Sequence, residues 1–268
     1  MKRKLSKFAL SFCGVMLVSI TTIPYLSGCR GVNILSREEE IRIGREASAE
    51  IEKEYEVSTN PADIKLVETI GQKLVAANGL KDFPYTFKVL ETREINAISL
   101  PGGPIYVFRG LIDLTEGDKD ELAAVIAHEI GHIHRRHIAQ MYSRGVLADL
   151  LISLGTEGTV RTGAQLAAVL AQLQYSRDDE YESDRYSVRF TYKAGYDPNG
   201  IIRFFEKMKR LEKQGKGDII ENNLRTHPLT ENRIKRAKEE IGKLVPELTA
   251  EAEQEYLQSA SKGNNSER

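Results

Sequence analysis

The sequence has little cysteine, no tryptophan and almost no net charge. It contains two cysteines in 268 residues, and its 38 basic and 39 acidic residues give a formal charge of −1. A charge so close to zero gives no indication of a nucleic-acid-binding surface, which is normally strongly basic. The only long apolar run lies at the N-terminus, from Phe8 to about Ile23.

This N-terminus predicts a lipoprotein signal peptide over residues 1–28. Four basic residues precede or begin the apolar run, which ends in the sequence Leu-Ser-Gly-Cys at 26–29 and resembles a bacterial lipobox. Cleavage before Cys29 and lipidation of that residue are therefore expected; the alternative is a transmembrane anchor. Cys13 leaves with the signal peptide, so no thiol remains as a metal ligand, and a transition metal must be bound by histidines and carboxylates.

The rest of the chain predicts one mostly helical α+β domain. Residues 29–35 form a tether, 36–245 the folded domain, and the polar residues 246–268 a disordered tail. The apolar segments between 146 and 173 are too short to span a membrane and predict a helical hairpin.

Helix and strand signals are clear across the folded domain. Ser36 with Glu39 forms a capping box, and Pro61 suits the first turn of a second helix. Three strands should form a small sheet, and the prolines at its margin indicate an edge strand. The predicted strands are Tyr85–Leu90, Ile95–Leu100 and Pro104–Phe108, and further helices are predicted at about 120–134, 177–193, 201–213 and 230–243.

The sequence His-Glu-Ile-Gly-His at 128–132 is the strongest chemical signal. Its two histidines lie four residues apart, so on a helix they share one face and can bind one metal ion. Glu129 is then suited to act as general base toward an attacking water. Asp118 is predicted to cap this helix, with Glu121 completing a capping box.

A catalytic zinc ion needs a third protein ligand. His134 and His137 lie at the wrong angles on the helix, and we expect them at its end. Residue 138, where one group of HExxH enzymes has a histidine, is isoleucine. The third ligand must therefore come from another segment.

Helical spacing favours Glu180 as that ligand. Glu180 and Asp184 lie on a stripe of small and apolar residues that should be buried, whereas Glu182 lies on a charged stripe and should be solvated. A buried carboxylate needs a partner, which zinc would supply to Glu180. Asp184, one turn further on, suits an acceptor for a ligand histidine N–H.

Several short motifs together resemble one metallopeptidase family. The sequence is similar to the gluzincin family of HtpX and the CAAX-prenyl proteases, in particular its periplasmic BepA- and LoiP-like branch, from about Ser36 to Ile241. The matching segments are Asn96-Ala97, Leu100-Pro101-Gly102-Gly103, Gly110-Leu111, the HEIGH helix, Ser176-Arg177 with Glu180 and Asp184, Ala194-Gly195-Tyr196-Asp197-Pro198, and His227-Pro228 with Arg233.

The resemblance implies a zinc endopeptidase with one Zn²⁺ per chain. It implies Glu129 as the catalytic base and Glu180 as the third ligand beside His128 and His132. It also implies that His227 approaches the metal, where it either stabilises the oxyanion or blocks the open position. Arg233 is expected to help stabilise the charge of the intermediate. An edge strand should bind the substrate in extended form; its residues, with the adjoining turn, are Asn96, Ala97, Ile98, Gly102 and Gly103.

The expected function is hydrolysis of unfolded or misassembled exported proteins at the cell envelope. The alternative is a chaperone-like assembly factor of the outer membrane with little or regulated proteolysis. The expected partners are extended polypeptides, the membrane through the lipid on Cys29, and outer-membrane assembly machinery, with no nucleic acid. Because Arg30 is not aspartate, we expect the periplasmic face of the outer membrane if the source is Gram-negative.

Overall fold

The computed structural model describes residues 33, 35–143 and 173–244. The predicted signal peptide, lipidated Cys29, C-terminal tail and, apart from Leu173, the apolar hairpin lie outside the described residues. None of the described helices combines the length and apolar character needed to cross a bilayer.

The described chain is mostly helical with a small sheet, as the sequence predicts. The α+β fold class is thereby confirmed. The elements, in chain order, are α1 (Arg37–Glu54), α2 (Pro61–Ala77), β1 (Thr86–Leu90), β2 (Ala97–Ser99), β3 (Pro104–Phe108), α3 (Arg109–Thr115), α4 (Lys119–His134), α5 (His137–Ser143), α6 (Arg177–Lys193), α7 (Gly200–Lys213), α8 (Gly217–Thr226) and α9 (231–244).

The sheet has the strand order β1-β3-β2. β1 runs parallel to β3, and β2 runs antiparallel to it with Ile98 opposite Tyr106. The expected edge strand is therefore present as β2. Pro104, however, begins the central strand β3, where the first position of a strand tolerates the missing N–H.

Helix α4 lies at the centre of the fold and packs against α6, α7, α2 and β2. Asp118 caps it by accepting hydrogen bonds from the backbone N–H groups of Asp120 and Glu121, each at 3.0 Å. The predicted capping box was wrong in one respect: the Glu121 carboxylate, fully buried, instead pairs with Lys207 Nζ at 2.9 Å. The N–H of Asp118, which a capping box would use, donates instead to the carbonyl of Thr115 at 2.9 Å, so the buried Glu121 carboxylate pairs with the nearby ammonium group.

Helices α4 and α6 approach each other very closely at the HEIGH segment. A Cβ on Gly131 would lie 3.3 Å from the Cα of Ser183, so glycine permits this packing. Ser187 further links the helices by donating a hydrogen bond to the carbonyl of Ala124 at 2.6 Å. This contact brings the HEIGH segment of α4 and the face of α6 with Glu180 together.

Helix α8 was not predicted from the sequence. Its ten residues carry an apolar stripe with Ile219, Ile220 and Leu224, but the helix is short, begins at a glycine and has no side-chain N-cap, so it would be marginal by itself. Tertiary contacts hold it: the N–H of Ile95 donates to the carbonyl of Ile219 at 2.8 Å, and Asn223 donates to Asn96 Oδ1 at 3.2 Å. The helix therefore lies beside the start of β2.

Candidate metal centre

Four buried side chains from three parts of the fold converge on one point. α4 supplies His128 and His132, α6 supplies Glu180, and the segment after α8 supplies His227; one donor atom from each lies within 4.8 Å of the others. The Nε2 atoms of His128 and His132 are 3.0 Å apart, and Glu180 Oε1 lies 3.3 Å from His132 Nε2. His227 Nδ1 lies 2.9 Å from the same Glu180 oxygen.

This donor set fits a metal ion of the zinc type. Imidazole nitrogens and a carboxylate oxygen are common zinc ligands, and four is the usual number. Two histidines present ring nitrogens to each other and to a carboxylate in a space closed to solvent. A cation bound among them would satisfy lone pairs that otherwise face one another.

The electrostatics of Glu180 and His132 favour their metal-binding protonation states. Burial opposes ionisation of Glu180, but the Arg233 guanidinium and the surrounding imidazoles hold the pKa of this carboxyl well below its usual range. Burial lowers the pKa of His132 well below its usual value, because the charged imidazolium would be desolvated. The carboxylate is therefore ionised and the imidazole neutral.

Asp184 and Arg233 form a second layer behind the ligands. Asp184 Oδ1 lies 3.0 Å from His128 Nδ1, the contact that the sequence predicts. Arg233 donates two hydrogen bonds to the Asp184 carboxylate, at 2.8 and 2.7 Å, and its Nη1 lies 2.6 Å from Glu180 Oε2. Arg233 thus pairs with two buried carboxylates and fixes their orientation.

Glu129 lies beside the metal centre and is held by a residue that sequence reasoning missed. Its Oε2 accepts a hydrogen bond at 2.7 Å from the hydroxyl of Ser99, the last residue of β2. Its Oε1 lies 3.7 Å from His227 Nε2. A hydroxyl on an edge strand next to the HExxH helix gives no distinctive sequence signal.

Tyr175 was also missed. Its ring lies against that of His132, with centroids 3.8 Å apart, and 5.1 Å from that of His227. Its backbone N–H donates to the carbonyl of Thr226, which ties the start of α6 to the end of α8. The only sequence signal is its position immediately before the capping box that begins the ligand helix α6.

The structure keeps His134 and His137 out of the four-residue group, as the spacing predicts. His134 Nδ1 lies 2.8 Å from Asp82. His137 begins the next helix, α5, and contacts the ligand His132. Glu182 was wrongly predicted to be merely solvated: its side chain is 25% exposed and lies 3.2 Å from His137 Nε2.

The predicted substrate-binding residues fall into two places. Asn96, Ala97 and Ile98 lie in or beside the edge strand β2, next to Ser99. Gly102 and Gly103 lie in the β2–β3 turn with φ of +79° and +126°, against the backbone of α1 and of Pro84. The positive φ angles explain why glycine occurs at these two positions. Binding of substrate by any of the five residues stays a prediction.

The sequence of residues 61–241 matches the model of peptidase family M48. This range covers more than half of the chain and includes all four converging side chains. The chain belongs to peptidase family M48. The predicted family and enzyme class are thereby confirmed.

Similar proteins carry protease or metalloprotease names. The chain is 30% identical over 204 residues to a putative beta-barrel assembly-enhancing protease of Vibrio cholerae, covering 71% of this chain and 41% of that protein. It is 30% identical over 223 residues to the mitochondrial metalloendopeptidase OMA1 of Schizosaccharomyces pombe, covering 80% and 64%. It is 24% identical over 249 residues to the metalloprotease LoiP of Escherichia coli, covering 84% and 96%.

The chain spans about half the length of the beta-barrel assembly-enhancing proteases that it matches, 41% of the Vibrio cholerae protein and 52% of the Escherichia coli protein.

Proposed function

We propose that this M48 member is a zinc-dependent endopeptidase that hydrolyses unfolded or misassembled exported proteins at the cell envelope. The observation that carries the proposal is the buried group of three imidazoles and one carboxylate beside Glu129. The beta-barrel assembly-enhancing proteases of Vibrio cholerae and Escherichia coli, by their names, and the signal-like N-terminus support an envelope location. We propose lipid attachment at Cys29 as the means of anchoring.

The residues around the centre suit peptide hydrolysis. His128, His132 and Glu180 would hold the metal, which supplies Lewis-acid polarisation of the scissile carbonyl. Glu129 takes the proton of the attacking water and passes it to the leaving amine. Ser99 keeps the Glu129 carboxylate oriented through its 2.7 Å hydrogen bond.

Two features favour extended, unfolded polypeptide as the substrate. β2 is an outer strand of the sheet and ends at the residue that binds Glu129, so a chain paired along it would be led to the catalytic base. An apolar pocket of about 20 Å³ adjoins His128 and Glu129, and on widening its lining would suit a side chain that folded proteins bury. Residues lining it include Ile201, Phe204, Phe205, Met208 and Leu224.

His227 favours a resting state in which the site is blocked. Its Nδ1 lies 2.9 Å from Glu180 Oε1 and 3.4 Å from His128 Nε2, within the group of metal donors. A fourth protein ligand leaves no position for substrate, as in structural zinc sites. We infer that His227 must withdraw before hydrolysis.

The position of His227 among the donors also favours a second candidate function. This function is that of a chaperone-like assembly factor with little or regulated proteolysis. A closed centre would cut rarely while the edge strand still bound extended chains. Replacement of Glu129 separates the two candidates, because it removes the general base and leaves β2 in place.

The test is digestion of casein by the purified full-length protein, with and without a chelator. Wild-type protein should digest casein, the chelator should abolish this, and restored Zn²⁺ should recover it. Glu129→Gln should be inactive, whereas Glu206→Gln, a matched change on the exposed face of α7, should be active. Digestion that survives both the chelator and Glu129→Gln would overturn the proposal; assembly activity that survives Glu129→Gln would favour the second candidate.

A further inference from the structure

His137 lies outside the group of metal donors but contacts it directly. Its Nδ1 lies 2.9 Å from Nδ1 of His132, and it is 1% exposed. Its other ring nitrogen, Nε2, lies 3.2 Å from Oε2 of Glu182. His132, His137 and Glu182 thus form a continuous series of contacts from the metal centre to a carboxylate near the surface.

A turn in the backbone after helix α4 brings His137 back into contact with His132. Helix α4 ends at His134, and Arg136 then adopts a left-handed conformation with φ of +58°. Such a conformation is costly for a residue with a side chain and needs support from the surroundings. The Arg136 guanidinium supplies that support by donating to the buried Glu40 carboxylate and to the carbonyl of Leu35, both at 2.6 Å.

Only one arrangement of protons suits this series when a metal is bound. Nε2 of His132 faces His128 and Glu180, so it is the nitrogen that would bind the metal. The proton of neutral His132 then lies on Nδ1 and is donated to Nδ1 of His137. His137 must therefore carry its own proton on Nε2, which it donates to Glu182.

The carboxylate at the end of the series is itself held in place. Arg135 Nε lies 3.1 Å from Oε2 of Glu182, and Arg185 Nη2 lies 3.2 Å from Oε1. The hydrogen bond from His137 and the charge of Arg135 hold the pKa of Glu182 at about 2, so this carboxylate is an acceptor at neutral pH. Glu182 thus completes the series as an ionised group.

We propose that His137 and Glu182 are positioning residues that fix the ring orientation and tautomer of the metal ligand His132. His128 is held directly by a carboxylate, Asp184, at 3.0 Å, whereas His132 is held through a second imidazole. Such outer partners commonly change metal affinity by about 10- to 100-fold. The inference rests on the metal centre of the proposed function and assigns a role to two residues outside the donor set.

The test compares two replacements of His137 in the full-length protein. In His137→Gln, the amide oxygen can accept from His132 and the amide N–H can donate to Glu182, whereas His137→Leu can do neither. We expect His137→Leu to bind Zn²⁺ about 10- to 100-fold more weakly in competition with a chromogenic chelator. His137→Gln should recover most of that affinity. The spectrum of the Co²⁺-substituted protein should change in the leucine variant, because it reports ligand geometry.

Replacement of Glu182 tests the far end of the series. Glu182→Ala should weaken Zn²⁺ binding less than His137→Leu, since His137 still accepts from His132. Asp178→Ala is the matched control, a carboxylate on the exposed face of α6, and should bind Zn²⁺ as the wild type does. The thermal midpoint of each metal-free variant measures any general loss of packing separately.

Three outcomes would overturn the inference. Wild-type Zn²⁺ affinity and Co²⁺ spectrum in His137→Leu would mean that His132 needs no such partner. Equal weakening in the leucine and glutamine variants, matched by equal losses of metal-free stability, would mean that His137 only fills space. A wild-type protein that binds no Zn²⁺ would overturn the proposed function as well, which separates that failure from the other two.

Discussion

At the residue scale, Glu129 is placed so that its expected role in proton transfer can be tested apart from metal binding. The residue lies next to the converging donors and is absent from that group, and its carboxylate is bound by Ser99. Its replacement should therefore remove the proton transfer without removing the metal.

We expect Glu129→Gln to lower casein hydrolysis by about 10²- to 10⁴-fold, the usual contribution of a general base. Zinc content, measured by atomic emission on the same preparation, should equal that of the wild type. Loss of zinc together with activity would instead make Glu129 a residue needed for the metal centre.

Replacement of His227 should raise casein hydrolysis, whereas replacement of Glu129 should lower it. If its imidazole blocks the centre, His227→Ala should raise the initial rate of casein hydrolysis, because a larger fraction of molecules then has an open position. His134→Ala is the matched control, since that histidine lies outside the donor group and binds Asp82; its rate should be that of the wild type. A rate that falls by about 100-fold in His227→Ala would show that the imidazole assists the reaction.

At the element scale, the start of helix α4 sets the position of the HEIGH segment. Asp118 caps this helix and also pairs with Arg203 of α7 at 2.8 Å. Burial opposes ionisation of Asp118, but hydrogen bonds from Arg203 and from the helix N-terminus hold its pKa below the usual value. The Asp118 carboxylate thus joins helix α4, which carries the HEIGH segment, to the neighbouring helix α7.

Asp118→Ala should lower the free energy of unfolding by about 1–2 kcal/mol at neutral pH. A depressed folded-state pKa means that this stabilisation is present above the unfolded-state pKa of about 4 and is lost as the pH falls through the folded-state value. Urea unfolding at pH 7 and at acid pH measures both effects. Asp113→Ala, a change at an exposed position of α3, should leave stability nearly unchanged; a loss for Asp118→Ala that is independent of pH would contradict the prediction.

At the scale of the whole molecule, the metal centre joins three separate parts of the chain. The four converging side chains come from α4, α6 and the segment after α8, so a bound ion would link elements distant in sequence. A ligand that binds the folded state and not the unfolded state raises stability by mass action.

Zinc removal should therefore lower the thermal midpoint of the protein. At free Zn²⁺ 100-fold above the dissociation constant, the expected stabilisation is about 2.7 kcal/mol. This corresponds to roughly 5–10 °C for a domain of this size. Differential scanning calorimetry with and without chelator should show this shift in the wild type and in Asp178→Ala, but not in Glu180→Ala. Equal shifts in all three proteins would place the zinc elsewhere.

Much of the fold could be predicted because its signals are local. The capping box at Ser36, the proline at position 61 and the alternating strand residues each act within a few neighbours. Helix α8 was not predicted in this way, because it is short, begins at a glycine without a side-chain cap, and is held by contacts with Ile95 and Asn96. The Glu121 side chain was misassigned for the same reason, since its partner Lys207 lies on another helix.

The sequence by itself predicted His128 and His132 as metal ligands, Glu129 as the general base, and Glu180 with Asp184 on a second helix, because each prediction follows from spacing along one helix. Only the tertiary structure decided that Ser99 holds Glu129, that Tyr175 lies against His132, and that His137 returns to contact His132 from the next helix. Helical spacing relates residues on one helix, and it carries no information on which side chains other elements bring to the same point. The position of His227 among the possible donors depends on where α8 packs, and packing is a property of the whole fold.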